Sequence, residues 1–431
     1  MRCSPWGRVG ALVLGLVLGL VLGLVRGLVR GNVRGLVRVK IGGIVGGLLL
    51  APWCAALDYQ QSVDLTSAAS LLSNPTLSGL PDSAQAAETS ANGQLSGYWN
   101  LLAFPSAATQ VNLRYGWSAQ GTASWPEQQQ ASSAATTADY RLADYRLEDL
   151  DAELWASSTE NLGLYQQLDA LSVTWYSPFG EWVLGRQPIS FGLAKFYSPI
   201  DVMQPIELIA TDRSYRPGVD ALRATWFLGP VSSLEAGYVM GVDRAVFGRL
   251  KAFVLDADWQ LTAIQINDQY RLAALGVQSG IGAVGLWQET AWLLASGSSD
   301  LRVTLGVDMT LFEDWYLVSE LHYNGLGAGS DYLQNAAGQG FYQIGAVLPL
   351  AQWYASVQVS YPINVLTQWS TGATLNVNDN SALFNSALAY SVSNDMALNL
   401  SAVLPLATAR SLAYEYGVYP SVFTAQLQWV F

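Results

Sequence analysis

The residues of this 431-residue chain that could select or bind a solute are concentrated between Glu181 and Arg223. This segment contains several prolines and sets basic side chains beside aspartates, as a loop does when it folds back onto a protein. Opposed charges in a passage either pair with each other or form a constriction that acts on passing ions. The sequence leaves both interpretations open. The candidates are Arg186, Lys195, Asp201, Asp212, Arg213, Arg216, Asp220 and Arg223.

A second group of candidates is acidic. These carboxylates are interpreted as lying on the polar faces of alternating segments, where they would line a lumen. A ring of carboxylates in a low-dielectric tube concentrates cations, so this group predicts a preference for cations. A hydrogen-bonded structural wall is the competing interpretation. The residues are Asp149, Asp151, Glu153, Asp256, Asp258, Asp308 and Glu320.

The chain has one histidine, His322, which the pattern places beside Glu320 on the same polar face. Barrel lipases and proteases depend on a histidine base. Chemistry on a lipid would require this histidine on the opposite face. We therefore predict that the protein is not an enzyme, with no catalytic residue and no metal site.

Composition restricts the fold that must position these side chains. Charged residues make up 13% of the chain, about half the share typical of soluble proteins, and apolar residues make up 51%. Abundant aromatics exclude intrinsic disorder, and two cysteines exclude a disulfide framework. A net charge of −12 excludes a basic nucleic-acid-binding protein. Beyond residue 56, no uninterrupted apolar run approaches the ~20 residues of a membrane-spanning helix.

Most of the chain alternates between apolar and polar residues. Arg302–Leu311, Gln368–Val377 and Phe253–Ala263 each place apolar side chains on one face and small or polar side chains on the other. Such alternation indicates β-strands. A broad apolar face opposite a Gly, Ser, Thr, Asn and Gln face is typical of strands with lipid outside and water inside. Because an open strand edge leaves backbone groups unpaired in lipid, we predict an all-β, transmembrane antiparallel β-barrel.

The C-terminal segment Phe423–Phe431 ends the chain on an aromatic residue. It resembles the last strand by which the barrel assembly machinery recognises Gram-negative outer-membrane barrels. Trp429 and Phe431 would then form the assembly signal. This pattern predicts an integral protein of the Gram-negative outer membrane, in contact with its lipids; a secreted soluble β-barrel is the competing interpretation.

Residues 1–56 differ from the rest, since they lack Asp and Glu and contain LVLG and LVRG repeats. Arg38 and Lys40, the apolar run Ile41–Ala51 and the small residue Ala56 form a secretory signal peptide cleaved before Leu57. An uncleaved anchor formed by Ala11–Val25 is the alternative. We predict that residues 57–93 form a periplasmic extension with one short helix around Leu65–Leu72, and that residues 94–431 form the barrel.

Seventeen segments between residues 94 and 431 have the pattern of strands. Bacterial single-chain barrels have even strand numbers with both ends in the periplasm, so we predict about 16 strands, with 14 or 18 as alternatives. Counting back from Phe431 places the turn at Ser393–Asp395 in the periplasm and the Asn324–Gln352 connection outside the cell. Segments 119–138, 193–217 and 406–419 are also predicted long loops, but the first two conflict in sidedness with a strict count.

The segments 181–223 and 376–396 carry a family resemblance through the motifs GRQ, PIDVMQP, GVDALR and NDNSALFNSALAYSVSND. They resemble Gram-negative porin-like outer-membrane barrels, a group that includes alginate-export-like and uncharacterised outer-membrane porins. The resemblance implies a passive pore without a cofactor. The chain departs from the sugar porins in lacking an obvious basic ladder, so a polysaccharide substrate is not carried over from them.

These observations predict an outer-membrane channel for passive diffusion of small hydrophilic solutes or ions, with a preference for cations. The alternative is a plugged, substrate-specific outer-membrane transporter for a hydrophobic or polymeric solute, with the extension 57–93 as the plug. Porins are often trimers, so a homotrimer is the expected assembly.

Overall fold

The computed structural model describes residues 58–78, 89–125, 145–147, 152–157, 162–205, 216, 218–295, 297–312 and 314–431. The predicted signal peptide 1–56 lies outside these residues. Nineteen strands form one antiparallel sheet. They are β1 (Asp58–Ser73), β2 (Thr89–Ser106), β3 (Thr109–Trp125), β4 (Ala152–Ser157), β5 (Leu162–Ser177), β6 (Gly180–Gln187), β7 (Val219–Phe227), β8 (Ser233–Val239), β9 (Ala245–Val254), β10 (Ala257–Ile266), β11 (Tyr270–Ile281), β12 (Val284–Ala295), β13 (Ser298–Leu311), β14 (Trp315–Asn324), β15 (Trp353–Asn364), β16 (Thr367–Asn376), β17 (Ala382–Ser393), β18 (Met396–Leu406) and β19 (Ser421–Val430).

The sheet closes into a barrel of 18 strands. The first strand pairs with β2 on one side and with β19 on the other, so Asp64 lies opposite both Tyr98 and Val430. The short β4 adds no position to the wall, because it pairs with the first residues of β5 while β6 pairs with the last residues of the same edge. The predicted fold class is confirmed, and the strand number is 18 rather than 16.

The prediction of a periplasmic extension over residues 57–93 is wrong for Asp58–Ser73, which forms β1. All sixteen residues of this strand pair with β2. Its Ser, Thr and Ala residues give little contrast between the two faces, so the sequence alone did not show the alternation. Backbone pairing with β19 closes the sheet, and no helix forms over Leu65–Leu72.

The second missed strand is β9. The sequence pattern predicted one strand over residues 252–264, but a two-residue turn at Leu255 and Asp256 divides this segment. Both turn residues have positive φ angles of 56°, which two-residue hairpin turns require and which Asn and Gly usually provide. Because neither is present here, the turn was hidden. Asp256 is therefore a turn residue rather than part of the lumen wall.

The outer surface of the wall is apolar. Trp259 and Leu261 on β10 are exposed on the outside of the barrel. Gln260 and Thr262, at the alternate positions of the same strand, face inward and are buried. A closed sheet with an apolar outer face satisfies every backbone group internally, as lipid requires. The barrel is therefore an integral outer-membrane protein.

The two ends of the barrel differ. Two-residue turns join β2 to β3, β9 to β10 and β11 to β12 at the end that holds the C-terminus, and this end is periplasmic by the rule that periplasmic turns are short. Long connections follow β6, β14 and β18 at the other end, where the connections 193–217, Asn324–Gln352 and 406–419 were predicted. They contain α1 (Tyr332–Ala337), α2 (Gly340–Gln343) and a 3₁₀-helix (Glu415–Val418). No described helix is long and apolar enough to cross a membrane.

Candidate functional site: the channel interior

A loop folded into the barrel shapes the channel interior. Residues 188–205, here called the inner loop, follow β6 and lie against the inside of the wall. Phe191 and Ile200 are buried, and the Phe191 ring packs 5.0 Å from the ring of Phe247 on β9. The larger of the two buried apolar clusters in the described residues is therefore inside the barrel, where this loop packs against the strands and the connection after β14. The expectation that the proline-rich segment folds inward is confirmed.

Side chains of the wall bind the backbone of the inner loop along its length. Arg249 Nη1 on β9 donates to the carbonyl of Ser190 at 2.9 Å, and Gln260 Nε2 on β10 donates to the carbonyl of Phe191 at 2.7 Å. The hydroxyl of Thr304 on β13 donates to the carbonyl of Tyr197 at 2.8 Å. The loop thus crosses the inner faces of successive strands and is held against each of them.

Two wall carboxylates hold the middle of the inner loop. Glu289 Oε1 on β12 accepts the N–H of Leu193 at 2.5 Å. Glu320 on β14 accepts the N–H groups of Lys195 and Phe196 at 2.5 and 3.0 Å. Both carboxylates are buried. Glu320, predicted to line an acidic lumen, is therefore an anchor of the loop and is covered by it.

Most charged candidates in the loop region form ion pairs. Arg186 binds both carboxylate oxygens of Asp220 at 2.9 and 3.1 Å, between neighbouring strands β6 and β7. Arg216 pairs with the buried carboxylate of Asp201. These four residues fit the structural interpretation. The predicted Asp212 and Arg213 lie outside the residues that the structure describes.

Two basic candidates keep contact with the lumen. Lys195 is exposed at the middle of the inner loop, and its Nζ lies 5.9 Å from the centre of the Trp287 ring. Arg223 on β7 is partly exposed and lies 3.8 Å from Glu181. The Lys195 ammonium and the Arg223 guanidinium therefore remain accessible to water.

The remaining acidic candidates are dispersed. Asp258 follows the periplasmic turn on the inward face of β10 and is exposed. Asp308 on β13 accepts the hydroxyl of Tyr316 at 2.5 Å. Asp149 and Asp151, and the side chain of Glu153 on β4, lie outside the described part of the chain. The described members of this group do not form one ring.

A polar cluster that the sequence analysis missed lies on β1, β2, β3 and β5. Arg114 Nη1 donates to Asn100 Oδ1 at 2.8 Å and pairs with Asp64 at 3.3 Å, while its Nε lies 3.6 Å from Asp169. Arg114 is the sixth residue from the periplasmic end of β3, as Glu320 is in β14. The cluster therefore lies at the level of the inner loop. The alternating pattern of β2 and β3 places Asn100 and Arg114 on the inward faces of their strands, and this pattern was the signal from which the cluster could have been predicted.

The wall formed by β15 to β19 is uncharged, because these five strands contain no Asp, Glu, Lys, Arg or His. Their inward residues are mainly Ser, Thr, Asn and Gln. The channel interior thus has a charged side, on which the inner loop lies, and a neutral polar side.

At the extracellular end, the buried carboxylate of Glu415 joins three segments. It accepts the Tyr354 hydroxyl at 2.6 and 2.8 Å, Asn376 Nδ2 at 2.9 Å and the N–H of Leu350 at 3.1 Å. Burial raises the pKa of Glu415 to about 7. The next residue, Tyr416, lies 3.3 Å from the hydroxyl of Tyr197 on the inner loop. The mouth and the inner loop are therefore in direct contact.

His322 and the C-terminal aromatics occupy different environments. His322 is 2% exposed, and its Nδ1 lies 2.7 Å from Thr304 Oγ1. Trp429 faces outward and is 46% exposed, with the ring of Phe431 at 5.2 Å. Phe431 extends the pairing with β1 through two backbone hydrogen bonds to Val63. The assembly role of these aromatics stays a prediction.

The comparisons with known proteins agree with this architecture. No protein-family model and no curated protein sequence matches the chain. Solved structures do match: Acinetobacter baumannii OccAB3 has 9% identity and a TM-score of 0.53, covering 87% of this chain and 99% of its own. A. baumannii OccAB1 has 11% identity and a TM-score of 0.52, with 87% and 96% coverage. Pseudomonas aeruginosa OccK8 (OprE) has 10% identity and a TM-score of 0.52, with 87% and 98% coverage. The chain therefore has the fold of the 18-stranded outer-membrane porins.

Proposed function

We propose that the protein is an outer-membrane channel through which small hydrophilic solutes or ions diffuse passively. The observation that carries this proposal is the inner loop, which is bound to one side of the barrel at the level of the Asp64–Arg114 cluster. Such a loop narrows a barrel of this size, whose side chains alone do not fill the lumen. Lys195 on the loop and the cluster on the opposite wall would form the constriction.

A preference for cations is the finer part of the proposal. The charges that support it lie at the periplasmic mouth rather than in a ring at the middle of the channel. Carboxylates grouped at a mouth raise the local cation concentration, and Lys251 on β9 offsets this effect only in part. The acidic residues are Asp256, Asp258, Asp308, Asp314 and Asp395.

The alternative of a plugged transporter has less support. The segment expected to be its plug contributes β1 to the wall, and the inward faces of β15 to β19 are polar, not suited to a hydrophobic solute. A homotrimer stays a prediction.

The test is single-channel conductance and reversal potential of the purified protein in a planar bilayer under a KCl gradient. We expect stable open steps and a reversal potential whose sign shows that K⁺ is more permeant than Cl⁻. The double variant D258N/D395N should reduce this potential, while N364Q, a neutral change at the same end, should not. A folded, heat-modifiable barrel without conductance would contradict the channel proposal, and a reversal potential of the opposite sign would contradict the cation preference.

A further inference from the structure

We propose that the inner wall of β18, β19, β1, β2 and β3 binds neutral, hydroxyl-rich solutes such as sugars and polyols. This inference rests on the proposed channel function and adds a solute class to it. The surface is here called the amide patch. It consists of the exposed or partly exposed amides Asn399, Gln426, Gln428, Asn92, Gln94 and Gln120.

The strand register assembles these side chains into adjacent rows. Asn399 lies opposite Gln426, which lies opposite Ala68, then Gln94, then Gln120, so one row crosses five strands. The neighbouring rows add the partly exposed hydroxyl groups of Thr66, Ser70 and Ser401. Strands are about 4.8 Å apart and same-face neighbours along a strand about 7 Å apart. One or two sugar rings could therefore contact several members of the patch together.

Several amides of the patch are available to a solute. Within the described residues, the side chains of Asn399, Gln426 and Gln428 form no hydrogen bond with another protein group, and all three are partly exposed. An amide offers both a donor and an acceptor, as each sugar hydroxyl does. On the other side of the barrel, by contrast, Gln260 and Thr304 use their polar groups to hold the inner loop.

The electrostatics of the patch favour an uncharged solute. Neither β2 nor any strand from β15 to β19 contains a charged residue. The nearest charges on this wall, Asp64 and Arg114, already pair with each other. An ionised solute would lose hydration at the patch without gaining an opposite charge, whereas a neutral polyol exchanges water hydrogen bonds for amide and hydroxyl ones.

The experiment measures current through the full-length purified protein in a planar bilayer while maltose is added. We expect a saturable decrease in open-channel current with maltose and no saturable decrease with gluconate or glucosamine, which carry opposite charges. Absence of a saturable effect of maltose, or an equal effect of the charged analogues, would overturn the inference. The KCl conductance without sugar tests the proposed function separately, because an open channel that ignores maltose would contradict only the solute class.

Variants locate the binding surface. Gln426→Leu removes the central amide of the patch, and we expect the half-saturating maltose concentration to rise about fivefold, as for loss of one net hydrogen bond. Gln358→Leu, which removes an inward amide on β15 outside the patch, is the matched control and should change it less than twofold. Equal effects of the two variants in folded, conducting barrels would show that the patch is not the binding surface.

Discussion

Removal of the Glu320 carboxylate should release the middle of the inner loop. Glu320 is 3% exposed and accepts three hydrogen bonds, from the N–H of Lys195, the N–H of Phe196 and the indole Nε1 of Trp287 at 3.0 Å. Hydrogen bonds to a charged group contribute about 1.5–3 kcal/mol each. Loss of the two backbone bonds should therefore weaken docking of the loop by about 3–6 kcal/mol. The ratio of docked to released loop would fall by about 100-fold or more.

The substitution Glu320→Gln should have an intermediate effect, because all three groups around the carboxylate are donors. A glutamine retains one acceptor oxygen, which can serve Lys195 and Trp287, and directs its NH₂ group at the N–H of Phe196. We expect the order of loop release to be Glu320→Ala, then Glu320→Gln, then the unchanged protein.

Single-channel recording measures this release directly. A released loop should raise open-channel noise and mean conductance in the stated order. Asp308→Ala is the matched control, since this wall carboxylate on the neighbouring strand accepts a hydrogen bond from Tyr316 rather than from the loop. If folded Glu320→Ala channels were indistinguishable from Asp308→Ala channels, the assignment of Glu320 as an anchor would be refuted.

Three further predictions concern the paired charges, the mouth and the C-terminus. Arg186→Ala leaves the Asp220 carboxylate without its bidentate partner, so it should lower the unfolding temperature in a heat-modifiability gel without changing ion selectivity. Lys195→Gln should instead change the reversal potential and leave the unfolding temperature unchanged. The opposite pattern would favour a constriction role for Arg186. Burial raises the pKa of Glu415 to about 7, and an acid whose folded pKa is raised stabilises the folded state below its unfolded pKa and loses that contribution as pH rises through the folded value. Hydrogen exchange of residues 407–420 should therefore be slower relative to the intrinsic rate at pH 5 than at pH 8, and Glu415→Gln should abolish the difference; a pH dependence that persists in this variant would contradict the assignment. Deletion of Phe431, which removes two backbone hydrogen bonds to Val63, should reduce the amount of heat-modifiable barrel in outer-membrane fractions, while Val430→Ile should leave it unchanged.

Most of the architecture could be predicted because each strand of a membrane barrel carries apolar side chains on its lipid face and polar side chains on its lumen face. Successive side chains point to opposite faces, so segments such as Gln368–Val377 separate apolar from polar residues wherever lipid lies on one side and water on the other. The segment Gln368–Val377, whose faces differ strongly in polarity, matches β16 within one residue at each end. The long connections after β14 and β18 follow from the same pattern.

The two missed strands show where this signal is insufficient. In β1 both faces carry small residues, and only pairing with β2 and β19 defines the strand. In β9 the signal was present, but a turn formed by Leu255 and Asp256 without Asn or Gly concealed the boundary. Omission of β9 also placed the loop 193–217 at the periplasmic end when strands were counted back from Phe431, which explains the conflict in the strict count.

The sequence by itself determined that the proline-rich segment after Arg186 folds inward, since its prolines and opposed charges suit neither a strand nor lipid contact. Only the tertiary structure decided what each charge does. Glu320 has the parity of a lumen residue, yet the loop covers it because Lys195 and Phe196 donate to it from 124 to 125 residues away in the chain. Arg186 and Asp220 meet only because β6 and β7 are adjacent. The position of a residue in the alternating pattern specifies which face of the sheet its side chain occupies. Its burial and its hydrogen-bond or ion-pair partners depend on groups that are distant in sequence.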